Sequence, residues 1–173
     1  LPNGAVVSEV AAQILGAMPP KSLLIDCSTI DVSSAKNLRD LAQKADIACL
    51  DAPVSGGVGG ATDGTLTFMV GGSRPAFSTG ADYFDIMGKK AVHCGDGGAG
   101  QAAKICNNML LGISMIGACE AFSLAEKLGL SQAALFEVIS TSSGSCWSVN
   151  TYCPGSGRKA RRTMITGRGL PPL

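Results

Sequence analysis

An α/β fold with a largely parallel sheet, continued by one long apolar helix, is predicted by three features of this 173-residue chain. Short apolar strand candidates alternate with amphipathic helix candidates through the first half, the rhythm of a layered α/β sheet. Polar and glycine-rich turns follow two of those strands, on the rim where ligands gather in such sheets. From about Gly100 to Leu128 the pattern stays helical, roughly 40 Å at 1.5 Å per residue, until Gly129 stops it.

Taken in order, Val6 to Leu15 reads as a helix, closed by Gly16 and the Pro19-Pro20 pair that cannot continue it. Ser22 to Asp26 reads as a short strand buried on both faces, and Cys27 to Asp31 as a turn. Asp31 or Ser33 can cap a helix running to about Lys44. Asp46 to Leu50 is a second buried strand, ending at Asp51-Ala-Pro53, and Ser55 to Gly60 is a glycine-rich turn. Gly64 to Gly72 is β-branched and alternating enough to be a strand. Arg74-Pro75 starts a helix toward Met87, and Lys90 to Cys94 is the last short strand before the long helix. Ser131 caps a further helix to Ile139, and Thr141 to Gly144 is a polar loop.

Composition narrows the function classes. A hydrophobic content of 46% is ample for a core, and a net charge of +1 gives no case for nucleic acid or an acidic partner. Seven cysteines without a C-x-x-C pair, and His93 as the one histidine, fit neither a metal site nor a disulfide framework. They read as reduced and mostly buried. The apolar run Met109 to Cys119 is too short to span a bilayer and reads as a buried core helix, so no membrane partner is expected. Residues 155–173 hold five basic side chains and no acid, and read as a disordered tail, with a basic arm for nucleic acid as the alternative.

The stretch Gly95 to Asn108 carries the chemistry. Lys104 sits just inside an apolar helix, and Asn107 and Asn108 lie three and four residues on, so a cation and an amide share one face. A solvated lysine is the plain alternative, but Lys104 is followed by apolar residues with no further charge until Glu120. Desolvation and the helix start both disfavour an ammonium there, which suits Lys104 as general acid/base. Gly95, Gly97 and Gly100 match the G-x-G-x-x-G spacing of a dinucleotide fingerprint, with Glu120 at the distance of a ribose-binding acid. That match is read as accidental, because Glu120 falls on the same helix rather than after a second strand. Ser55-Gly56-Gly57 offers a hydroxyl and unshielded backbone N–H groups for a small anion, against the alternative of a tight turn needing positive φ. Nucleophilic catalysis fits poorly: Ser55 lacks a G-x-S-x-G setting, His93 reads as core, and Cys106 as a buried packing residue.

Three motifs in order, Asp51-Ala-Pro-Val-Ser-Gly-Gly57, Gly64-Thr-Leu-Thr-Phe-Met-Val-Gly-Gly72 and Gly98-Ala-Gly-Gln-Ala-Ala-Lys-Ile-Cys-Asn-Asn108, resemble the β-hydroxyacid dehydrogenase family, most closely its 3-hydroxyisobutyrate-oxidising branch. The resemblance runs from Leu1 to about Pro154. It implies NAD-dependent oxidation of 3-hydroxyisobutyrate to methylmalonate semialdehyde in valine catabolism, on a Rossmann-type domain followed by an all-helical domain that forms a homo-oligomer. It assigns Lys104 as the catalytic lysine, Ser55, Gly56 and Gly57 as the substrate-carboxylate clamp, and Asn107 and Asn108 as substrate-orienting amides. Leu1, Pro2 and Thr29 resemble cofactor contacts, and no metal is implied. Within the family, tartronate semialdehyde or glyoxylate reductase is the alternative, while 6-phosphogluconate dehydrogenase is disfavoured because Asn107 stands where its members carry histidine.

By that resemblance, residues 1–94 form the C-terminal part of the NAD-binding domain, and 95–154 the interdomain helix and the start of the helical substrate and dimerisation domain. The family's N-terminal G-x-G-x-x-G unit and most of its helical domain are missing, and the basic tail looks like the product of a shifted reading frame or alternative exon. The chain is therefore expected to be a fragment or truncated variant, inactive by itself, or a non-catalytic product that acts by pairing with full-length subunits. The family implies a mitochondrial matrix location for an animal source and a cytoplasmic one for a bacterial source; the chain shows no targeting segment.

Overall fold

The computed structural model describes residues 1–153 and divides into two units, Leu1–Cys106 and the residues from Asn107 onward. The tail expected after Pro154 lies outside the described residues.

In the first unit, α1 (Gly4–Ile14) starts two residues earlier than the apolar pattern indicates, because the Asn3 side chain accepts the Val6 N–H and caps it. β1 (Leu23–Asp26) leads to α2 (Val32–Lys44), whose cap is Asp31: its carboxylate accepts the Ser34 N–H at 2.8 Å. The Ser33 and Ser34 hydroxyls, and after them that N–H, hold the Asp31 carboxyl below its ordinary range. β2 (Ala48–Asp51) follows, then β3 (Val54–Ser55), α3 (Gly57–Thr62) and β4 (Leu66–Gly71). Ser73 caps α4 (Arg74–Met87), with a proline in its first turn where no N–H is needed. β5 (Gly88–Gly95) precedes α5 (Ala99–Lys127).

β1 and β2 pair in parallel from Leu23↔Ala48 to Asp26↔Asp51, and β4 and β5 pair in parallel with Phe68 opposite Ala91. Parallel partners need a crossover, which α2 and α4 supply. β2 and β3 meet β4 in short antiparallel contacts, Asp51↔Gly71 and Val54↔Phe68. Leu50, Phe68, Val70 and Phe84 fill the core on one side, the two phenylalanine rings 5.0 Å apart. Val7, Ala11, Ala35 and Leu38 pack α1 against α2 in a second cluster.

The second unit contains the rest of α5, α6 (Gln132–Thr141) capped by Ser131, and α7 (Trp147–Tyr152), which packs on α6. Phe122, Ala125 and Val149 are buried there.

Four expectations are corrected. β1 is half-buried along its length rather than buried on both faces. The turn expected at Ser55 to Gly60 is split: Ser55 ends a short strand and Gly57 begins a helical turn, since small residues there permit the tight path. No cysteine is fully buried; Cys27, Cys106 and Cys119 are exposed, and all seven are free thiols. The run Met109 to Cys119 is not a buried core helix: Met109 is 63% exposed, Ile113 60% and Ile116 67%. That run belongs to a 29-residue helix with a window of mean hydropathy 1.4, which by length and composition could cross a membrane. The same length and composition suit a helix sheathed by other apolar protein surface.

Candidate active site

Lys104 lies at the second turn of α5, half-buried, and its Nζ donates to the carbonyl of Val54 at 2.7 Å. Val54 immediately precedes Ser55, so the expected general base and the expected anion clamp meet within one unit. Burial lowers the Lys104 pKa from its ordinary value, and no neighbouring charge contributes to that shift. An amine that gives one N–H to a carbonyl and is kept partly dry can hold its lone pair free for a hydroxyl proton.

The expected clamp has the geometry that glycine permits. Gly56 (φ 138°) and Gly57 (φ 61°) both occupy positive φ, where side-chained residues are strained, and a Cβ on Gly56 would stand 3.0 Å from the Leu66 side chain. Gly56 sits at the start of α3 and offers no side-chain cap, so the first N–H groups of that turn are left for an external acceptor. Gly56 and Gly57 are exposed and Ser55 is half-buried.

The expected cofactor contacts gather beyond the carboxyl end of β1. The Leu1 amine donates to Ser28 Oγ at 2.9 Å, next to the exposed Thr29, and Pro2 is exposed beside it. Ser28 N–H is held by Asp26 Oδ1 at 3.0 Å, while Asp26 Oδ2 is buried with no hydrogen-bond partner among the described residues. Asn107 and Asn108 open the second unit, exposed, with the Asn107 amide donating to Asn108 Oδ1 at 3.3 Å.

The fingerprint-like glycines at 95, 97 and 100 do follow a strand and open a helix. Their helix start is already filled: the Asp51 carboxylate accepts the N–H groups of Gly98 at 2.7 Å and Gln101 at 2.9 Å. A pyrophosphate would need those same donors. Glu120 lies on α5 itself, so the accidental reading of this motif holds. His93 is half-buried in β5, its Nε2 2.7 Å from the Gly72 carbonyl, in a structural role.

Sequence reasoning assigned no part to Asp51 or Gln101. The available signal was the lone acid ending an apolar strand, Ala48-Cys-Leu-Asp51, which is placed where a helix start needs an acceptor. Among the described residues no group of three or more potential ligands could hold a metal ion.

Residues 1–95 match the sequence model described as the NAD binding domain of 6-phosphogluconate dehydrogenase. Residues 98–164 match the one described as NAD-binding of NADP-dependent 3-hydroxyisobutyrate dehydrogenase, a match running past Pro154, the limit of the motif resemblance. The solved 3-hydroxyisobutyrate dehydrogenase of Mycobacterium tuberculosis, with L-serine, is 49% identical and superposes with a TM-score of 0.86 over 89% of this chain and 53% of that one. Human mitochondrial 3-hydroxyisobutyrate dehydrogenase is 51% identical over 144 residues, 83% of this chain and 43% of its own length. The Pseudomonas aeruginosa enzyme of the same name is 50% identical over 144 residues, 83% of this chain and 48% of its own. The chain spans about half the length of the curated relatives it matches. A dehydrogenase-type α/β unit, the Lys104 contact to the Val54 carbonyl and these matches converge: the chain belongs to the 3-hydroxyisobutyrate dehydrogenase family.

Proposed function

We propose that this chain carries the substrate-handling part of an NAD-dependent dehydrogenase that oxidises 3-hydroxyisobutyrate to methylmalonate semialdehyde in valine catabolism. The observation that carries the reading is the Lys104 Nζ contact at 2.7 Å to the carbonyl of Val54, the residue that leads into Ser55-Gly56-Gly57.

The substrate carboxylate is received by the Ser55 hydroxyl and the N–H groups of Gly56 and Gly57, which need no counter-charge side chain to hold a small anion. Lys104 in its neutral form keeps one N–H on Val54 and takes the proton of the primary hydroxyl, while the carbinol C–H leaves as hydride and a C=O forms. NAD, when bound, supplies the hydride acceptor. Leu1, Pro2 and Thr29 would hold it: they are exposed beyond the end of β1, and the helix start that could mimic a pyrophosphate site is taken by Asp51. Asn107 and Asn108 are assigned as substrate-orienting amides on the resemblance alone.

The names of the relatives favour 3-hydroxyisobutyrate over tartronate semialdehyde or glyoxylate. The working enzyme is a homo-oligomer, in the mitochondrial matrix of an animal source or the cytoplasm of a bacterial one. A second reading has its own support. Exposed Met109, Leu110, Ile113 and Ile116 on α5 suit a chain that associates with full-length subunits without catalysis.

The test is Lys104→Ala in the enzyme carrying this chain, with 3-hydroxyisobutyrate and NAD and NADH formation followed. A fall in kcat of about 10²- to 10⁴-fold is expected for loss of a general base. An unchanged rate would remove Lys104 from the mechanism.

A further inference from the structure

Gln101 is fully buried and Asp51 is 4% exposed, the two most deeply enclosed polar side chains of the first unit. Neither takes part in the chemistry described above. Gln101 Oε1 accepts the Ile30 N–H at 3.1 Å, and its Nε2 donates to the Ser28 carbonyl at 2.7 Å. Those two backbone groups bracket Thr29. Only a side chain with a donor and an acceptor on one carbon can meet both at once, and a carboxylate or an apolar residue would leave at least one of them buried and unpaired.

On its other side the first turn of α5 is pinned by Asp51 through the N–H groups of Gly98 and Gln101. The approach is so close that no Cβ fits at Gly71, where it would meet Gly100 N at 2.7 Å and Ala99 N at 2.8 Å. Three residues after Asp51, the Val54 carbonyl takes the Lys104 ammonium or amine. The segment 51–54 and the first two turns of α5 are thus tied at both ends. Burial, and no charge from Asp51, displaces the Lys104 pKa, so Asp51 acts on where the lysine is rather than on its ionisation.

We propose that Asp51 and Gln101 are positioning residues that hold Lys104 in register with the Ser28–Ile30 cofactor loop, a role that rests on the dehydrogenase reading above. One rigid helical turn, from Gln101 to Lys104, then sets the distance between the group that receives the proton and the loop that holds the hydride acceptor.

The test compares Gln101→Met, which keeps the shape and removes both amide hydrogen bonds, with the milder Asp51→Asn in the same enzyme. Four quantities are measured: kcat, KM for 3-hydroxyisobutyrate, the dissociation constant of NADH by fluorescence, and hydrogen exchange of the Ile30 amide. A displacement near 1 Å should lower kcat by about 10- to 100-fold. NADH binding weakens and Ile30 loses protection in Gln101→Met, while KM for the hydroxyacid stays within about twofold because its clamp is untouched. If Gln101→Met does not fold, Asp51→Asn must still show the kcat loss. Folded variants with reduced thermal stability but unchanged kcat and NADH affinity would overturn the positioning role alone. A Lys104→Ala enzyme that keeps its rate would instead remove Lys104 from the mechanism, and the positioning role with it, while an unaltered enzyme that forms no NADH from 3-hydroxyisobutyrate would overturn the dehydrogenase reading itself.

Discussion

Gly100→Ala should be strongly destabilising although it places a better helix former in a helix. Position 100 is the second residue of α5, and a Cβ there would collide with the Met69 carbonyl, stand 2.5 Å from the Asp51 carbonyl oxygen and 2.9 Å from Asp51 Oδ2. Two of these three atoms are backbone and cannot rotate aside. Reaching ordinary contact at 3.4 Å requires the helix start to move by about 0.9 Å from the Asp51 carbonyl alone. A movement of that size stretches the 2.7 Å Asp51–Gly98 bond beyond hydrogen-bond range. Overpacking costs about 1–3 kcal/mol and loss of a bond to a buried charged acceptor about 1.5–3, against a helix-propensity gain of about 0.5–1. The net expectation is roughly 1.5–5.5 kcal/mol of lost stability, a large fraction of a typical domain's total. Gly112 in the same helix has open space where its Cβ would stand, so Gly112→Ala should gain about 0.5–1 kcal/mol. Urea unfolding of both variants, with m unchanged, reads the two signs directly. A neutral or stabilising Gly100→Ala would refute the close docking of α5 on the strand ends, and with it the argument for Asp51.

Three further outcomes follow from ionisation. Because burial lowers the Lys104 pKa from 10.5, the unfolded chain binds the proton more readily between the two values. The contribution of Lys104 to stability should therefore rise with pH across that window, and the oxidation rate should rise through the same lowered pKa; Lys104→Met should flatten the first in pH-dependent unfolding, and a rate profile flat up to 10.5 would refute the second. Cys49 is pushed up to about 12 by burial, with Asp26 and Asp51 adding to the shift, so it stays a thiol. Iodoacetamide at about pH 8 should modify exposed Cys106 and Cys119 well before Cys49, as peptide mass mapping would record, and early labelling of Cys49 would contradict its enclosure.

The alternation of short apolar strands with capped helices was legible where a cap marks the boundary, as Asp31 and Ser131 do, each accepting an N–H from three residues on; Asn3 and Ser73 cap in the same way but were not read as caps, so α1 starts earlier than its apolar pattern. The Lys104 and Ser55–Gly57 pairing was legible as two motifs, but their meeting through Val54 joins residues 50 apart in the chain. Gln101 was invisible for the same reason, since its partners Ser28 and Ile30 lie more than 70 positions away and no local pattern marks a buried amide. The error on Met109 to Cys119 has a different origin. Hydrophobicity reports that a face prefers to be covered, not that this chain covers it.

That distinction separates the two ends of α5. Its first turn encloses Gly100 and Gln101, with the Gly98 and Gln101 N–H groups matched by Asp51. Its later turns present Met109, Leu110, Ile113 and Ile116 at 60% exposure or more. Covering a side chain of that kind contributes about 1.5–3 kcal/mol when complete, so four of them amount to a sum on the order of a small domain's whole stability. The first unit draws on cores of its own, around Leu50 and Phe68 and around Val7 and Leu38. Among the described residues the apolar stretch of α5 has no equivalent cluster, and its persistence as a helix in water depends on what it meets. The proposed catalytic placement of Lys104 and the proposed association through α5 are therefore separable on one helix, the former resting on hydrogen bonds within the first unit, the latter on apolar side chains open to a partner.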